Sequence, residues 1–260
     1  MMTQSLTLAP DKHVTLTLEH YGGGVPVLLL HGGAGPASVT AFAQRLAAAK
    51  PFQVYVPTHP GFMGTPRPAW LSSVAALAEV YGALLEKFAL EGVTLVGNSI
   101  GGWIAAEMAL HHSKRIGGVV LVNAVGIEVE AHPVADIFSL SLDEITQRSY
   151  FNPVAFRRDP ATLTEDERGR MAANRATLAV YSGSFAMADP TLLPRLQAVT
   201  VPTLVVWGQH DQIVTPEYGR AYAAGIPTAR FELLEQAGHL PQLETPDALI
   251  HTIVAFVAYI

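Results

Sequence analysis

Short apolar runs separated by amphipathic segments make up most of the chain. The runs are rich in β-branched side chains, which is typical of strands buried on both faces of a parallel sheet. Residues 13–20 (HVTLTLEH) instead alternate apolar and polar positions, which predicts a half-buried strand. The apolar runs lie at residues 25–30, 53–56, 93–96, 119–122, 203–207 and 230–234. We therefore predict a sheet whose central strands are buried.

The segments between these runs are rich in Ala and Leu, with apolar residues at helical spacing. They lie at residues 39–49, 74–88, 103–111, 217–224 and 248–258. Alternation of strand and helix implies crossover connections, and hence a mostly parallel sheet with helices on both faces. The predicted fold class is α/β.

Residues 126–195 break this alternation, because they contain no convincing buried strand. Helix-compatible pieces at 141–146 and 164–171 are separated by Asn-Pro and Asp-Pro pairs. Seventy residues are too many for a plain loop, so we predict a small helical cap over the strand ends. The predicted domains are residues 1–125 and 196–260, forming the two parts of the core, and residues 126–195, forming the cap.

Composition narrows the classes of function. The 260 residues are 50% hydrophobic and 15% charged, with a formal net charge of -6 and no cysteine. Scattered charge argues against a nucleic-acid or membrane surface, and the absence of cysteine excludes disulfides and thiolate sites. No metal-ligand motif is present, so we expect no metal or cofactor. We see neither a signal peptide nor an apolar run of the roughly 20 residues that span a bilayer. We expect a cytoplasmic protein, and the sequence leaves its oligomeric state open.

Residues 97–101 (GNSIG) place Ser99 between glycines, after a predicted strand and before a predicted helix. This G-x-S-x-G pattern lets the backbone turn sharply and project a nucleophilic serine above the sheet edge. An ordinary helix N-cap would also use a serine here. The two interpretations differ in what else the chain must supply.

A serine nucleophile needs a base, and the base needs a carboxylate that orients it. Asp211 follows the predicted strand at 203–207, and His239 follows the strand at 230–234. Taken singly, each has an ordinary structural explanation as a helix cap or a loop histidine. The chain order Ser, Asp, His is the one that this kind of strand-turn-helix nucleophile uses.

Glycines after the strand at 25–30 leave backbone N–H groups free to bind an oxyanion. We assign the two donors to Gly33 and to Ile100, the residue after the candidate nucleophile; a plain tight turn at residues 31–33 is the alternative. Asn98 and Leu240 adjoin the site and are possible substrate contacts. His31 is expected to hydrogen-bond the loop rather than act as a base.

The chain resembles proteins of the α/β-hydrolase fold over nearly its whole length. The resemblance rests on five stretches: HGGAGP, HPGFMGTPRP, GNSIGG, WGQHDQIV and AGHLPQLE. The resemblance implies eight strands, all parallel except the second, with a helical cap after the sixth. Serine at position 99 argues against the branches whose nucleophile is Asp. Asn123 occupies a place where some members of the family carry their acid, but an amide cannot fill that role.

The expected activity is hydrolysis of a small-molecule acyl substrate, first of all a carboxylic ester. The motifs are also similar to those of serine hydrolases that cleave carbon–carbon bonds in ring-fission diketones. Those enzymes usually carry an aromatic residue where this chain has Leu240, and they use a cap arginine for the substrate carboxylate. Arg157, Arg158 and Arg175 are the candidates for that arginine. A receptor that binds a small molecule on the same fold without turnover is the alternative from another class.

Several apolar side chains of the predicted cap are candidates to line a substrate pocket. They are Phe138, Tyr150, Phe151, Phe156, Met171, Tyr181, Phe185 and Met187. We expect most of them to pack the cap onto the core. His111 and His112, near the end of the helix after Ser99, are expected to interact with its dipole rather than bind a metal.

Overall fold

The computed structural model describes residues 2–111, 114–183 and 187–260, with only the backbone at Pro160. Its eight strands form one sheet in the order β1-β2-β4-β3-β5-β6-β7-β8. The strands are β1 (Met2–Ala9), β2 (Lys12–Gly22), β3 (Val25–Leu30), β4 (Phe52–Thr58), β5 (Val93–Asn98), β6 (Ile116–Val122), β7 (Thr203–Gly208) and β8 (Ala229–Leu234).

All pairings from β4 through β8 are parallel, whereas β2 runs antiparallel to both β1 and β4. This confirms the predicted α/β fold with a mostly parallel eight-stranded sheet. The hydrophobic pattern missed β1 as a strand, because this edge strand buries only Leu6 and leaves most of its other residues exposed or partly exposed. Its sequence therefore lacks the apolar run on which the pattern depends.

The helices are α1 (Ala37–Ala49), α2 (Val74–Lys87), α3 (Ile100–Leu110), α4 (Leu142–Ser149), α5 (Pro153–Phe156), α6 (Glu165–Ser182), α7 (Leu192–Arg195), α8 (Pro216–Gly225), α9 (Pro241–Glu244) and α10 (Pro246–Tyr259). Short 3-10 turns occupy Phe62–Gly64, Pro160–Thr162 and Leu196–Ala198.

Helices cover both faces of the sheet, as predicted, and two apolar clusters result. One joins α2, α3 and α8 to the sheet, and the other joins α1 and α10 to the opposite face. Along β3, Leu28 and Leu30 belong to the first cluster, whereas Val27 and Leu29 belong to the second. Successive strand side chains point to opposite faces, so a strand buried on both sides must be apolar throughout.

Helices α4 to α7 lie between β6 and β7, after the sixth strand as predicted. The first and third of them begin with capping boxes, in which Ser141 pairs with Glu144 and Thr164 pairs with Glu167. Reciprocal capping stabilises helices that have little apolar surface of their own. Helix α6 is longer than the predicted piece at 164–171 and continues to Ser182. None of the helices in the described part of the chain is both long and apolar enough to span a bilayer.

Candidate active site

Ser99 lies in a strained turn between β5 and α3. Its φ of 56° and ψ of -120° are rarely adopted by a residue other than glycine. Its side chain makes no capping hydrogen bond to α3. The helix-cap interpretation of this serine is therefore wrong, and the strain needs another explanation.

The two glycines flanking Ser99 are required by close backbone contacts. A Cβ atom on Gly97 would lie 2.2 Å from the carbonyl oxygen of Gly101. A Cβ atom on Gly101 would lie 2.2 Å from the carbonyl oxygen of Leu30. Neither position can hold a side chain without moving the backbone, which explains the G-x-S-x-G spacing in physical terms.

Asp211 and His239 form a buried hydrogen-bonded pair. His239 Nδ1 lies 2.7 Å from Asp211 Oδ2, and the two residues are 7% and 2% exposed. The other carboxylate oxygen accepts hydrogen bonds from the backbone N–H groups of Ile213 and Val214, at 2.7 and 3.0 Å. These bonds fix the carboxylate, so it holds the imidazole in one orientation.

Asn123 completes the surroundings of Asp211. This fully buried residue follows β6 with a φ of 46°, and its Nδ2 donates to Asp211 Oδ2 at 2.7 Å. Its Oδ1 accepts from the N–H group of Gly208 at 3.3 Å. The sequence excludes Asn123 as the acid because it is an amide, but no sequence motif signals its contact with Asp211, which was therefore not predicted.

One cavity of about 330 Å³ brings Ser99 and His239 together. The hydroxyl of Ser99 makes no hydrogen bond with any described residue, so it is free to contact a substrate or the imidazole. Catalytic hydrogen bonds are often long in unliganded enzymes and shorten when substrate binds. The cavity is lined by Gly33, Ala34, Asn98, Ser99, Val125, Val134, Ile137, Leu142, Ile145, Ser149, Met171, Ala172, Asn174, Arg175, Leu178, Met187, Ile213, His239 and Leu240.

The backbone N–H groups of Gly33 and Ile100 have no hydrogen-bond acceptor among the described residues. Gly33 lines the cavity, and Ile100 is the first residue of α3, directly after Ser99. Unpaired N–H groups beside a candidate nucleophile are the arrangement that an oxyanion hole requires.

Two buried histidines hold the loop that carries Gly33. The N–H group of His59 donates to His31 Nε2 at 3.1 Å, so His31 carries its proton on Nδ1 and donates it to the Gly32 carbonyl at 2.7 Å. His59 donates from Nε2 to the His31 carbonyl at 2.9 Å and accepts from the Tyr81 hydroxyl at Nδ1. Burial lowers the pKa of His59 to about 4 and holds the pKa of His31 well below 6.5. Both rings are therefore neutral and support the loop, as expected for His31.

Asn98 and Leu240, the possible substrate contacts, both line the cavity. The amide of Asn98 is already engaged, since Nδ2 donates to the carbonyl of His239 at 3.0 Å and Oδ1 accepts from Gln242 at 3.3 Å. Asn98 thus joins the turn at Ser99 to the loop of His239. Leu240 is 8% exposed and offers only apolar surface.

The segment between β6 and β7 lines the cavity mainly with side chains other than the eight predicted from the sequence. Of these, Met171 and Met187 line it, whereas Phe185 lies outside the described residues. Tyr150 and Phe156 stack on each other with ring centroids 4.4 Å apart. The aliphatic side chains that line the cavity from this region are Val134, Ile137, Leu142, Ile145, Ala172 and Leu178. Sequence reasoning missed them because their direction depends on how the cap helices dock.

The three candidate cap arginines lie in different environments. Arg157 pairs with Asp143 at 2.9 Å, and Arg158 pairs with Glu167 at 2.7 Å. Both arginine side chains are mainly exposed. Arg175 lines the cavity and has no carboxylate partner among the described residues. Its guanidinium donates to the carbonyl of Phe138 at 2.5 Å and to that of Leu140 at 3.4 Å. Apart from His239, Arg175 is the one ionisable side chain among the described lining residues.

His111 is the C-cap residue of α3, where a cation would interact favourably with the helix dipole. His112, its neighbour in that prediction, lies outside the described residues.

The fold and this arrangement of side chains define an α/β hydrolase. The family model of the alpha/beta hydrolase family matches residues 27–252, and the chain belongs to that family.

The chain is similar to curated relatives and to solved structures of this family along nearly its whole length. The chain is 27% identical to 2-hydroxymuconate semialdehyde hydrolase of Pseudomonas putida, over 93% of this chain and 90% of the relative. It is 28% identical to a 2-hydroxy-6-oxononadienedioate/2-hydroxy-6-oxononatrienedioate hydrolase of Cupriavidus pinatubonensis, over 95% of this chain and 92% of the relative. A thermophilic esterase from Thermogutta terrifontis superposes with a TM-score of 0.77 at 25% identity, covering 100% of this chain and 99% of the esterase. A meta-cleavage product hydrolase from Pseudomonas fluorescens superposes with a TM-score of 0.79 at 21% identity, covering 98% of this chain and 97% of that hydrolase.

Proposed function

We propose that this protein is a serine hydrolase in which Ser99 is the nucleophile, His239 the general base and Asp211 the residue that orients the imidazole. The observation that carries the proposal is that His239 lines the cavity that also contains Ser99 and is hydrogen-bonded to the buried carboxylate of Asp211. The strained backbone of Ser99 supports it, because strain at a residue whose side chain makes no capping hydrogen bond is typical of a functional site.

The proposed reaction follows from these positions. Ser99 Oγ attacks the substrate carbonyl carbon while His239 takes its proton, and the N–H groups of Gly33 and Ile100 stabilise the oxyanion. The tetrahedral intermediate then collapses, the bond to the leaving group breaks, and His239 returns the proton to that group. Water activated by His239 hydrolyses the resulting acyl-enzyme and frees Ser99.

Carbon–carbon bond cleavage is the first candidate for the bond that breaks. The curated relatives act on ring-fission products such as 2-hydroxymuconate semialdehyde, and the likeness extends over nearly the whole of both chains. Arg175 supports the same candidate, because a cation in an apolar cavity without a carboxylate partner favours an anionic substrate group. This order reverses the expectation from the sequence, in which the carboxylic ester came first.

Ester hydrolysis is the second candidate. Leu240 supplies no aromatic ring at the position where carbon–carbon bond hydrolases usually carry one, and most of the lining is aliphatic. The esterase from Thermogutta terrifontis also matches the chain along its whole length. A carbon leaving group departs as a carbanion that conjugation must stabilise, whereas an alkoxide needs only a proton. The ester is therefore the less demanding substrate for the same residues.

The first experiment tests the nucleophile and the bond together. Ser99→Ala and wild type are assayed on p-nitrophenyl esters and on ring-fission dienoates, and wild type is treated with a fluorophosphonate. We expect kcat to fall by about 10³ to 10⁶ in the variant and the label to map to Ser99. Faster turnover of dienoates than of esters supports the first candidate, and the reverse supports the second.

A Ser99→Ala variant with near-normal turnover would refute the proposed nucleophile. Tight binding of a panel compound by a wild-type protein that turns over none of the panel would instead indicate the non-catalytic receptor.

The second experiment tests Arg175 with substrates that differ only in charge. Each dienoate is compared with its primary amide at the distal carboxylate, in wild type, Arg175→Lys and Arg175→Gln. We expect Arg175→Gln to lower kcat/KM about 100-fold for the acid, because the buried carboxylate loses its cation. The neutral analogue should lose much less, and Arg175→Lys should keep part of the preference.

Arg158→Gln is the matched control for this comparison, because Arg158 carries the same charge on the surface. An equal loss for the acid and the neutral analogue would mean that Arg175 only supports the carbonyls of Phe138 and Leu140.

A further inference from the structure

Three residues of helix α6 form hydrogen bonds with the loop that follows β4. The Tyr181 hydroxyl donates to the carbonyl of Pro60 at 2.7 Å, and the Thr177 hydroxyl donates to the carbonyl of Gly61 at 3.0 Å. The N–H group of Met63 donates to Asn174 Oδ1 at 2.8 Å. Positions 174, 177 and 181 lie three and four residues apart, so one face of α6 makes all three contacts.

The same helix packs directly against the loop after β3. A Cβ atom on Gly33 would lie 2.8 Å from Leu178 Cδ2. A Cβ atom on Gly35 would lie 2.8 Å from Asn174 Nδ2. Helix α6 therefore contacts the backbone that carries one of the two unpaired N–H groups of the cavity.

The two loops are also joined to each other. His59, one residue before Pro60, donates its backbone N–H to the ring of His31 and its ring N–H to the carbonyl of His31. His31 in turn donates to the carbonyl of Gly32, whose peptide bond supplies the N–H group of Gly33. Hydrogen bonds, together with the peptide bond between His59 and Pro60, thus link α6 to Gly33 through two buried rings.

We propose that Thr177 and Tyr181 are positioning residues that set the direction of the Gly33 N–H group. This inference rests on the proposed function, because it assigns a support to the oxyanion hole of that reaction. An oxyanion donor acts only if it is already aimed at the developing charge, so a small displacement weakens transition-state binding more than substrate binding. The helices between β6 and β7 would then contribute to the rate as well as to substrate choice.

Thr177 offers a closely matched pair of variants for the test. Thr177→Val removes the hydroxyl and keeps the methyl group that packs on Gly61, whereas Thr177→Ser keeps the hydroxyl. Tyr181→Phe removes the second hydroxyl. Tyr21→Phe is the control, because the Tyr21 hydroxyl donates at 2.8 Å to Glu19 on β2, outside the cavity.

We expect Thr177→Val and Tyr181→Phe each to lower kcat about tenfold on a small p-nitrophenyl ester, with KM changed less than twofold. Complete loss of one oxyanion donor costs about 10² to 10³, so a misdirected donor should cost less. Thr177→Ser and Tyr21→Phe should behave as wild type. Inhibition by a trifluoromethyl ketone, whose adduct with Ser99 carries an oxyanion, should weaken in proportion to kcat/KM.

Three results would overturn the inference: an unchanged kcat, a change confined to KM, or a fall in kcat without weaker binding of the trifluoromethyl ketone. Each of these leaves turnover dependent on Ser99 and so spares the proposed function. Turnover that survives Ser99→Ala would overturn the proposed function and this inference together.

Discussion

Individual residues near the cavity are held by hydrogen bonds that require a particular protonation state. His31 and His59 each accept one hydrogen bond on a ring nitrogen, so neither can gain a proton without losing an acceptor. Tyr81 keeps its proton as well, since burial raises its pKa well above 10. The support of the Gly33 loop therefore depends on neutral rings, and this dependence gives stability a predictable response to pH.

Stability should fall as pH drops from about 6.5 towards 4. In the unfolded chain, His59 becomes protonated near pH 6.5. In the folded chain, its pKa is about 4, so it stays neutral until the pH falls to that value. The neutral His59 ring therefore contributes on the order of 3 kcal/mol to the free energy of unfolding above pH 6.5, and this contribution is lost as the pH falls from 6.5 to 4. Urea unfolding of wild type and His59→Gln at several pH values measures it.

The His59→Gln variant should lose less stability than wild type between pH 6.5 and 4. Imidazole signals in NMR provide a second measurement, which does not depend on whether the variant folds. A His59 ring that titrates near 6.5 in the folded protein would contradict the prediction.

Among the helices, α3 and α7 are joined by an ion pair whose carboxylate is buried and whose guanidinium is partly exposed. Glu107 on α3 is 3% exposed, and its carboxylate accepts from both terminal nitrogens of Arg195, at 2.7 and 2.8 Å. Arg195 also contacts Asp189 at 3.1 Å. This geometry ties the end of the segment between β6 and β7 to the helix that begins after Ser99.

We expect Arg195→Met to lower the free energy of unfolding by about 3 kcal/mol, because it leaves the carboxylate of Glu107 buried without a partner. Adding Glu107→Gln should recover at least half of the loss. Arg158→Met breaks an exposed pair with Glu167 and should cost less than about 1 kcal/mol. Equal losses for Arg195→Met and Arg158→Met would show that burial of Glu107 is unimportant. Thermal and urea unfolding measure all four proteins.

At the scale of the whole molecule, the cavity lies where the carboxyl ends of parallel strands meet the helices that follow β6. Ser99, Asn123 and Asp211 come after β5, β6 and β7, three neighbouring strands of the sheet. Open α/β sheets bind their ligands at this edge, since the loops after parallel strands converge there. The division into residues 1–125, 126–195 and 196–260 remains a prediction, and the contacts of α6 with both core loops indicate that the cap packs firmly on the core.

The sequence by itself determined the parallel sheet, the order of Ser99, Asp211 and His239, and the glycines around the turn at Ser99. These features are local, because they depend on hydrophobic period, turn geometry and position relative to a strand. Only the tertiary structure decided which arginine faces the cavity, which side chains line it, and that Asn123 supports Asp211. Each of these depends on contacts between residues far apart in the chain, and a helix can present any of its faces until its docking partner is known. The edge strand β1 was missed for a related reason, since a strand with one protected side needs few apolar residues.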